Sequence, residues 1–315
     1  MDFFNGLQRT VARWLLPGSI YDWGRGLAHR RRQRQYERLP GVSEAAFRRL
    51  LTEDLGLAPG QVVFVHVSLA GLRLEFPFYR VLSLLREAVG EEGTLLFPST
   101  QLKERPETWL ARNEVFDVRA TPTTMGVIPE FARRQQGARR SLHPTHSVAA
   151  LGPLAEELTG THPDSPYPCG ESSPYYKAAL AGGRIIGLGV DPSVLTFVHC
   201  VEDLWRERFP VETRLPYLYQ GRVIDRSGCE RAVPTLVSHP RIRWREIPRY
   251  VQRHLPPEVL AVHRRHGAWF YVAEAGPLLR RMEELAGQGI TIYSRLVYRG
   301  SPADRPLSWL AHRLG

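Results

Sequence analysis

The sequence predicts an α/β fold, in which strands and helices alternate around a central sheet. The chain has 315 residues, of which 43% are hydrophobic, so it is long enough to bury a sizeable core. From Gln61 onwards, buried strand patterns alternate with amphipathic helix patterns. The sequence has no repeat at a fixed period and no low-complexity tract, which argues against solenoids and propellers.

The elements follow one another in an order that suits such a sheet. A helix is expected from about Ser43, its N-cap, to Leu55. The next three segments read as strand, helix and strand, with the helix ending at Gly90: VVFVHVSL, FYRVLSLLREAV and TLLFPS. Pro129 suits the first turn of a helix PEFARRQQ. Further on, RIIGLGV predicts another central strand, and TFVHCVEDLWRERF a helix after it.

The part of the chain after Pro210 has weaker patterns. It contains a short strand YLYQGRVI, a basic stretch RIRWREIPRY, a last helix GPLLRRMEELAG and a strand ITIYSRLVY. We expect this part to complete the sheet or to form a wall of the ligand cleft.

Residues 1–40 are predicted to be an appendage to a main domain that spans residues 41–315. Arginines and a Pro-Gly pair interrupt its first apolar run, so neither a signal peptide nor a membrane-spanning helix is predicted. Its apolar residues recur near helical spacing: Phe3, Phe4, Leu7, Val11 and Leu15. Packing on the domain or on a partner subunit is favoured over membrane contact for this stripe. The basic run between Arg25 and Arg38 is typical of a solvated face, and polyanion docking is the alternative.

The charge of the chain points towards anionic partners. The net charge is +10 and the pI is near 9.9. Almost all of the cations are arginines, the only lysines being Lys103 and Lys177, and so uniform a bias is typical of genome composition or thermal adaptation. The three scattered cysteines favour a reducing cytosol. We therefore expect a cytoplasmic protein, and contact with the inner membrane face through the appendage remains open.

Several common active-site motifs are absent from the sequence. It has no Gly-x-Ser-x-Gly, no P-loop and no His-Glu-x-x-His, and GLGVDP lacks the third glycine of a dinucleotide fingerprint. Hydrolase, kinase-like, zincin and Rossmann functions are therefore disfavoured.

His199 is the best candidate for a catalytic residue. It lies near the start of the helix that follows RIIGLGV, and ligands of open α/β sheets bind at the carboxyl ends of strands. On that helix, His199 and Glu202 fall off the apolar stripe and are three residues apart, so the carboxylate can orient the imidazole. A surface ion pair is the alternative. Cys200 points about 100° away around the helix, which disfavours a Cys-His dyad.

The segment SLHPTHSVAALG holds two histidines, His143 and His146, and resembles a polar loop more than a core strand. No third ligand stands at a recognisable spacing, so no metal site is predicted. His66, on an apolar strand, is expected to be buried and hydrogen-bonded, whereas Ser68 is better placed to face a cleft. The loop ATPTTMG offers hydroxyls and backbone N–H groups to a phosphate or an amide chain, or forms an ordinary capped turn.

Five blocks in this order resemble the antibiotic N-acetyltransferase family, which includes the aminoglycoside 3-N-acetyltransferases. The blocks are HVSLAGL, EAVGEEGTLLFPST, TPTTMGVIPEFARR, RRSLHPTHSVAALGP and GRIIGLGVDPSVLTFVHCVED. The resemblance covers roughly residues 44–210, and more weakly extends to about 300. It implies an α/β/α layered fold around a mixed central sheet, distinct from the GNAT fold.

The resemblance also implies a function. Residues 41–315 would form an acyltransferase domain that moves an acetyl group from acetyl-CoA to the amine of an amino sugar, without a metal. His199 falls on the catalytic histidine of the family, with Glu202 as its orienting carboxylate, and Ser68 or Thr123 is a candidate oxyanion donor. The acceptor contacts would be His143, Ser147 and Asp191. The CoA contacts would be His66, Val67, Ser68, Leu69, Thr121, Pro122, Thr123, Thr124, Met125 and Gly126.

Two departures from the family pattern affect the expected substrate. The segment between Asp191 and His199 is about two residues longer than in typical members, which weakens the role of Asp191. A polycationic aminoglycoside favours an acidic cleft, whereas this chain is basic. We therefore expect acetylation of a biosynthetic amino sugar, with two alternatives: an aminoglycoside-resistance enzyme, or a non-catalytic polyanion-binding protein of the same fold.

The expected partners are the amino-sugar acceptor, CoA and a second copy of the chain. An anionic membrane surface or a phosphate-bearing acceptor also remains open, and no specific nucleic acid is expected. The sequence does not identify the acceptor or the length of the acyl chain.

Overall fold

The structure is a computed structural model, and it describes residues 36–38, 40–243, 245–293 and 297–299. The strands of these residues are β1 (Val62–Val67), β2 (Thr94–Pro98), β3 (Val115–Asp117), β4 (Arg139–Arg140), β5 (Val148–Leu151), β6 (Arg184–Leu188), β7 (Tyr219–Ile224), β8 (Glu230–Thr235), β9 (Ala261–Arg265) and β10 (Ala268–Glu274). The helices are α1 (Glu44–Arg49), α2 (Tyr79–Val89), α3 (Pro106–Ala111), α4 (Val127–Arg133), α5 (Ala155–Thr159), α6 (Pro174–Leu180), α7 (Cys200–Trp205), α8 (Ile247–His254) and α9 (Ala275–Gly287).

A seven-stranded mixed sheet has the order β4-β5-β2-β1-β6-β10-β9. Strands β2, β1 and β6 are parallel, and the strands on either side of them are antiparallel. The carboxyl ends of the three parallel strands therefore lie along one edge, where ligands of α/β sheets bind. This architecture confirms the predicted α/β fold with a mixed central sheet.

The parallel strands are buried on both faces because helices cover each side. On β1, Val63 and Val65 face one hydrophobic core, which also contains side chains of α1, α2 and α4. Val62 and Phe64, which alternate with them, face a second core with side chains of α6, α7, α8 and α9. These near-continuous apolar runs are typical of parallel strands between two helical layers. The molecule thus has three layers, helix, sheet and helix.

The predicted helix boundaries follow local chemistry. The Ser43 hydroxyl accepts a hydrogen bond from the Ala46 amide at 3.2 Å and caps α1, as predicted. The chain continues beyond α1 as a π-helical segment to Asp54. Gly90 ends α2 with a φ of +67°, a conformation that favours glycine over residues with a side chain.

A smaller sheet of order β3-β7-β8 stands apart from the main sheet. It has its own apolar cluster, in which Phe116 and Val223 are fully buried beside Trp109 of α3. The strand predicted in YLYQGRVI belongs to this small sheet and not to the main one.

Two predictions for the carboxyl-terminal part are wrong in detail. ITIYSRLVY does not form a strand in its described residues, where Tyr293 and Tyr298 make only isolated bridges, to Arg245 and Val211. The sheet is completed instead by the β9–β10 hairpin, whose two-residue turn is His266-Gly267. The predicted helix TFVHCVEDLWRERF consists of a 3-10 turn (Thr196–His199), α7 and a second 3-10 turn (Arg206–Arg208).

The predicted appendage lies almost entirely outside the described residues, and with it the apolar stripe and most of the basic run. The division of the chain at residue 40 therefore stays a prediction. In the ranges that the structure does describe, no helix has the length and apolar character needed to cross a bilayer.

Candidate active site

A hydrogen-bonded chain of three buried side chains centres on Glu202. The Nδ1 atom of His199 lies 2.9 Å from Oε1 of Glu202, across the junction between the 3-10 turn and α7. The hydroxyl of Tyr293 donates to the same carboxylate oxygen at 2.7 Å. The predicted spacing of three residues therefore brings the imidazole and the carboxylate into direct contact. The alternative, an exposed pair on a helix surface, is wrong because both side chains are buried.

These contacts assign the proton on the imidazole. A carboxylate can only accept, so Nδ1 of His199 carries the hydrogen and Nε2 keeps its lone pair. Nε2 has no hydrogen-bond partner within the described ranges, and the ring keeps 8% of its side-chain surface exposed. An imidazole in this state can accept a proton from a bound group.

Burial and neighbouring charges shift the pKa values of these three side chains. Burial lowers the pKa of His199, and the Glu202 carboxylate only partly offsets this effect. Burial alone would raise the pKa of Glu202, but His199 and then Arg214 and Arg245 bring it below its usual value. Burial, reinforced by the charge of Glu202, raises the pKa of Tyr293 well above its usual range. At neutral pH the imidazole is therefore free to accept a proton, and Tyr293 stays a hydrogen-bond donor.

The next carboxylate on α7 has a different partner. Asp203 accepts two hydrogen bonds of 2.7 Å from the guanidinium of Arg214, and both side chains are almost fully buried. It also accepts the backbone amide of Cys169 at 2.8 Å. Arg214 in turn donates to the hydroxyl of Ser238 at 3.4 Å and forms an isolated backbone bridge with that residue. This ion pair therefore joins α7 to the segment around Ser238.

The loop between β4 and β5, which the sequence indicated as a polar loop, is largely buried. The ring of His143 stacks on that of His162, with their centroids 4.5 Å apart. Its Nδ1 accepts from the amides of Thr145 and His146 at 3.4 and 3.2 Å. Nε2 of His143 is buried with no partner among the described residues. The two hydrogen bonds to His143 thus stabilise the shape of the loop.

A cavity of about 440 Å³ opens beside this loop, at the carboxyl-end edge of the sheet. Its volume suits a small-molecule site. His199 does not line it, but Thr196, one turn earlier, does. His146 and Arg245 line it as well, and both interact electrostatically with His199. The other side chains around the cavity include Pro98, Thr100, Leu102, Glu104, Arg105, Pro106, Glu107, Met125, Thr145, Ser147, Tyr175, Ser238, His239, Pro240 and Ile242.

The loop ATPTTMG is fastened to the end of β2. The Thr123 hydroxyl donates to the carbonyl of Thr100 at 2.8 Å, and the Thr124 amide donates to the same carbonyl at 2.8 Å. The buried guanidinium of Arg140 bridges the carbonyls of Thr121 and Ser99. The loop therefore keeps a fixed position beside the cavity, to which it contributes Met125.

Most hydrogen-bond donors of the loop ATPTTMG already have partners within the protein. The Thr123 amide donates to the carboxylate of Glu130 at 2.9 Å, and the Thr123 hydroxyl accepts from the Met125 amide at 3.1 Å. Thr123 is therefore poorly suited to the oxyanion role considered for it. Gly126, with a φ of +110°, has no atom within 4 Å of the position of an added Cβ, so a ligand can approach its backbone.

The segment from His66 to Leu69 lies at the end of β1. His66 is buried as predicted, but neither of its ring nitrogens makes a hydrogen bond of normal geometry among the described residues. Burial lowers the pKa of His66 to about 4, and a weaker contact with the Ile186 backbone offsets only part of this. The Ser68 amide donates to Leu188 at 3.0 Å, and its side chain caps no backbone group.

Only some of the predicted site residues come together. Met125 and Ser147 line the cavity, whereas the predicted acceptor contact His143 is fully buried and does not line it. Asp191 caps the short 3-10 turn after β6 by accepting the Ser193 amide at 2.8 Å. The roles proposed for these residues stay predictions.

Tyr293 and Arg245 were not found by sequence reasoning. Tyr293 is 91 positions from Glu202, so no local spacing links them. Arg245 belongs to a basic stretch that resembles a surface segment, and only its backbone bridge to Tyr293 brings it to the site. No signal in a single sequence identifies either residue.

In the part of the chain that the structure describes, no group of three or more histidine, cysteine, aspartate or glutamate side chains is arranged to hold a metal ion. The two histidines of the β4–β5 loop are engaged with each other and with neighbouring hydroxyls and amides.

Residues 64–256 match the family model described as aminoglycoside 3-N-acetyltransferase. The chain belongs to the aminoglycoside 3-N-acetyltransferase family. The match includes the HPTHS block, the His199–Glu202 pair and every residue that lines the cavity. It confirms the family that the order of the five sequence blocks indicated.

Curated members of the aminoglycoside 3-N-acetyltransferase family align over about half of this chain. Aminoglycoside N(3)-acetyltransferase VII of Streptomyces paromomycinus is 35% identical over 191 residues, which are 55% of this chain and 65% of that protein. Aminoglycoside N(3)-acetyltransferase VIII of Streptomyces fradiae is 37% identical over 166 residues, which are 48% of this chain and 57% of that protein. The chain therefore spans less than two thirds of these relatives.

Solved structures with the same fold extend the aligned region. AAC-VIa bound to sisomicin superposes with a TM-score of 0.65 and 26% identity, over 79% of this chain and 98% of that one. AAC-IIIb in binary complex with CoASH superposes with a TM-score of 0.64 and 24% identity, over 81% and 99%. At 24% identity, the likeness to AAC-IIIb supports the fold alone.

Proposed function

We propose that this chain transfers the acetyl group of acetyl-CoA to an amine of an amino sugar. The observation that carries the proposal is the 2.9 Å contact between His199 and Glu202, one turn from Thr196, which lines the cavity. This contact leaves Nε2 of the imidazole with no hydrogen-bond partner among the described residues. Membership of the aminoglycoside 3-N-acetyltransferase family supports the reaction type. The cavity volume of about 440 Å³ is compatible with an acyl thioester arm and a sugar ring.

In this mechanism, His199 acts as the general base. Nε2 takes a proton from the acceptor amine as the nitrogen attacks the thioester carbon, so a C–N bond forms and the C–S bond breaks. The imidazolium then returns the proton to the leaving sulfur, which balances the reaction. Glu202 stabilises the transient imidazolium and keeps Nδ1 protonated, and Tyr293 holds the carboxylate in place.

When bound, acetyl-CoA supplies the thioester. The fixed loop with Met125 and the open backbone at Gly126 support donor binding at the carboxyl end of β2. Of the two oxyanion candidates, Ser68 makes no side-chain hydrogen bond among the described residues, whereas Thr123 does.

The family comparison supports an aminoglycoside amine as the acceptor, because the curated relatives are named for this activity. This second reading of the sequence is better supported than the biosynthetic amino sugar, which rested on a net charge of +10. Net charge is a poor guide to a single cavity, since the charges that line it decide which acceptor binds. The polyanion-binding alternative depends on the basic run before residue 40, which lies mostly outside the described residues, and on the basic stretch RIRWREIPRY.

A free-thiol assay tests the proposal with acetyl-CoA and two acceptors, sisomicin and glucosamine. We expect His199→Ala to lower kcat by roughly 10²- to 10⁴-fold, because the proton acceptor is lost. His263→Ala, on strand β9 and away from the cavity, is the matched control and should keep the wild-type rate. A folded His199→Ala protein with wild-type kcat would rule out the assigned base. Absence of turnover in the wild type with every acceptor would reject the function itself.

A further inference from the structure

His143 and His146 lie three residues apart in the β4–β5 loop, but only one of them reaches the cavity. The ring of His143 is fully buried and stacks on that of His162. His146 is half-buried and lines the cavity, as do Thr145 and Ser147 on either side of it. The proposed reaction gives His146 no role so far. Ligand sites fix their ligands through a small number of well-placed polar groups, and His146 is a candidate for one of them.

The protein holds the imidazole of His146 on its Nδ1 side. The hydroxyl of Thr145 lies 2.9 Å from Nδ1 of His146 and 3.3 Å from the hydroxyl of Thr235. Thr235 in turn donates to the carbonyl of Leu236 at 3.4 Å. The backbone amide of His146 donates to Nδ1 of His143 at 3.2 Å. The position of the ring is therefore set by contacts within the protein.

The opposite nitrogen of His146, Nε2, is available to a ligand. It makes no hydrogen bond among the described residues and stays accessible, whereas Nε2 of His143 is buried without a partner. The Thr145 hydroxyl can accept a hydrogen bond from Nδ1–H of His146, because its own hydrogen has other acceptors: the Thr235 hydroxyl and Nδ1 of His143, each 3.3 Å away. In that tautomer, Nε2 of His146 offers a lone pair to a donor in the cavity.

The surroundings of His146 keep its ring neutral. Burial, and after it the positive charge of Arg214, lower the pKa of His146 well below its usual value. His199 is close enough to add to this shift. A neutral imidazole does not repel an ammonium group, so this wall of the cavity is compatible with the aminoglycoside acceptor that the family comparison supports.

We propose that Nε2 of His146 accepts a hydrogen bond from an amine or hydroxyl that neighbours the reacting amine of the acceptor sugar. The inference rests on the proposed acetyl transfer and deepens it by assigning a contact to the sugar. Amino sugars carry hydroxyl or amino groups on ring carbons close to the amine, so they supply such a donor. His199 then takes the proton of the reacting amine, and His146 orients the neighbouring group. His146 is thus a specificity-determining residue that sequence reasoning did not single out.

Steady-state kinetics with sisomicin and acetyl-CoA test this contact. His146→Phe keeps an aromatic ring without its nitrogens, and we expect kcat/KM for sisomicin to fall roughly 10- to 100-fold, mainly through KM, because a hydrogen bond to a charged donor is lost. His146→Gln places an amide near the position of Nε2 and should restore part of the loss. The KM for acetyl-CoA should change less than about threefold in either variant, since the lost contact is to the sugar.

Two further variants sharpen the test. Thr145→Val removes the hydroxyl that orients the ring and keeps the shape of the side chain, so the KM for sisomicin should rise roughly 3- to 10-fold, less than in His146→Phe. His263→Phe makes the same exchange as His146→Phe on the edge strand β9, away from the cavity, and should leave both KM values unchanged. Circular dichroism checks the fold of each protein, and His146→Gln carries the test if His146→Phe does not fold.

Three outcomes would overturn the proposal. In the first, His146→Phe leaves the KM for sisomicin at its wild-type value. In the second, His146→Phe raises only the KM for acetyl-CoA, which would assign the imidazole to the donor. In the third, His146→Gln loses as much as His146→Phe, which would reduce His146 to a packing role.

Calorimetry without acetyl-CoA separates this proposal from the proposed function. Binding of sisomicin that is weaker in His146→Phe than in the wild type would support the contact even if no acetyl transfer occurs. Acetyl transfer to sisomicin, with equal affinity for it in both proteins, would support the acetyltransferase and reject the contact. If the wild type neither binds nor acetylates sisomicin or glucosamine, both proposals fail.

Discussion

Glu202 and Asp203 are adjacent carboxylates on the first turn of α7, and both are almost fully buried. Glu202 contacts an imidazole and a phenol, whereas Asp203 contacts a guanidinium and a backbone amide. Consecutive residues of a helix point about 100° apart, so the two side chains reach different neighbours. One turn of helix therefore carries two buried carboxylates, one paired with an imidazole and the other with a guanidinium.

The two carboxylates differ in whether their partner can change its charge. A guanidinium stays protonated at any pH at which the protein is folded, so the Asp203–Arg214 pair is a permanent charge pair. Burial would lower the pKa of Arg214, but Asp203 raises it overall. An imidazole can gain and lose a proton near neutral pH, so the His199–Glu202 pair can change its charge during a reaction. A buried carboxylate is thus no evidence of catalysis unless its partner can titrate.

The largest expected effect is on stability, from Asp203→Asn. The substitution leaves the buried guanidinium of Arg214 without its counter-charge, so we expect the free energy of unfolding to fall by about 3–5 kcal/mol. Urea denaturation measures the change. The matched control is Glu171→Gln, which breaks the exposed pair with Arg206 and should cost at most about 1 kcal/mol. Equal losses in the two variants would remove the structural role assigned to Asp203.

The second prediction concerns Glu202→Gln, which should act on rate more than on stability. Loss of the carboxylate removes the charge that supports the imidazolium, and we expect kcat to fall roughly 100-fold. The reaction needs the neutral imidazole, so the acid limb of the pH–rate profile follows the pKa of His199. Because Glu202 raises that pKa against the effect of burial, its removal should move the acid limb to lower pH. An unchanged acid limb would mean that protonation of His199 does not determine the pH–rate profile.

Tyr293→Phe is expected to have the smallest effect. It removes one donor from the Glu202 carboxylate, which should lower kcat roughly 3- to 10-fold, or about 1 kcal/mol. The carboxylate then interacts more strongly with the imidazolium, so the acid limb should move to higher pH, opposite to its shift in Glu202→Gln. The pH dependence of kcat/KM in both variants decides this. A shift in the same direction for both would reduce Tyr293 to a packing role.

Local patterns predicted the elements whose contacts are local. The strand at β1, the helix ended by Gly90 and the three-residue spacing of His199 and Glu202 follow from periodicity and caps. The β9–β10 hairpin was missed because charged side chains alternate along β9 at the edge of the sheet, which resembles a loop. Conversely, β-branched and aromatic residues predicted a strand at 290–298, but the described residues there pair only through isolated bridges.

The parts of the site that sequence could not predict depend on distant contacts. His143 appeared to belong to a polar loop because Pro144 and hydroxyl side chains flank it, yet its ring is fully buried and stacks on that of His162. Tyr293 and Arg245 reach the His199–Glu202 pair from segments far along the chain. The total charge of the sequence also gave little information, because a net charge spread over the whole chain does not show which charged side chains line one cavity.

Arg214 has a geometric consequence beyond its ion pair. Its guanidinium bonds to Asp203 on the helix that begins after His199, and to Ser238 on the wall of the cavity. One planar, rigid group therefore ties the helix that carries Glu202 to the wall of the cavity. In the proposed reaction, an error of about 1 Å in the approach of the reacting atoms can cost roughly 10²-fold in rate, so we expect this ion pair to support the rate as well as the stability.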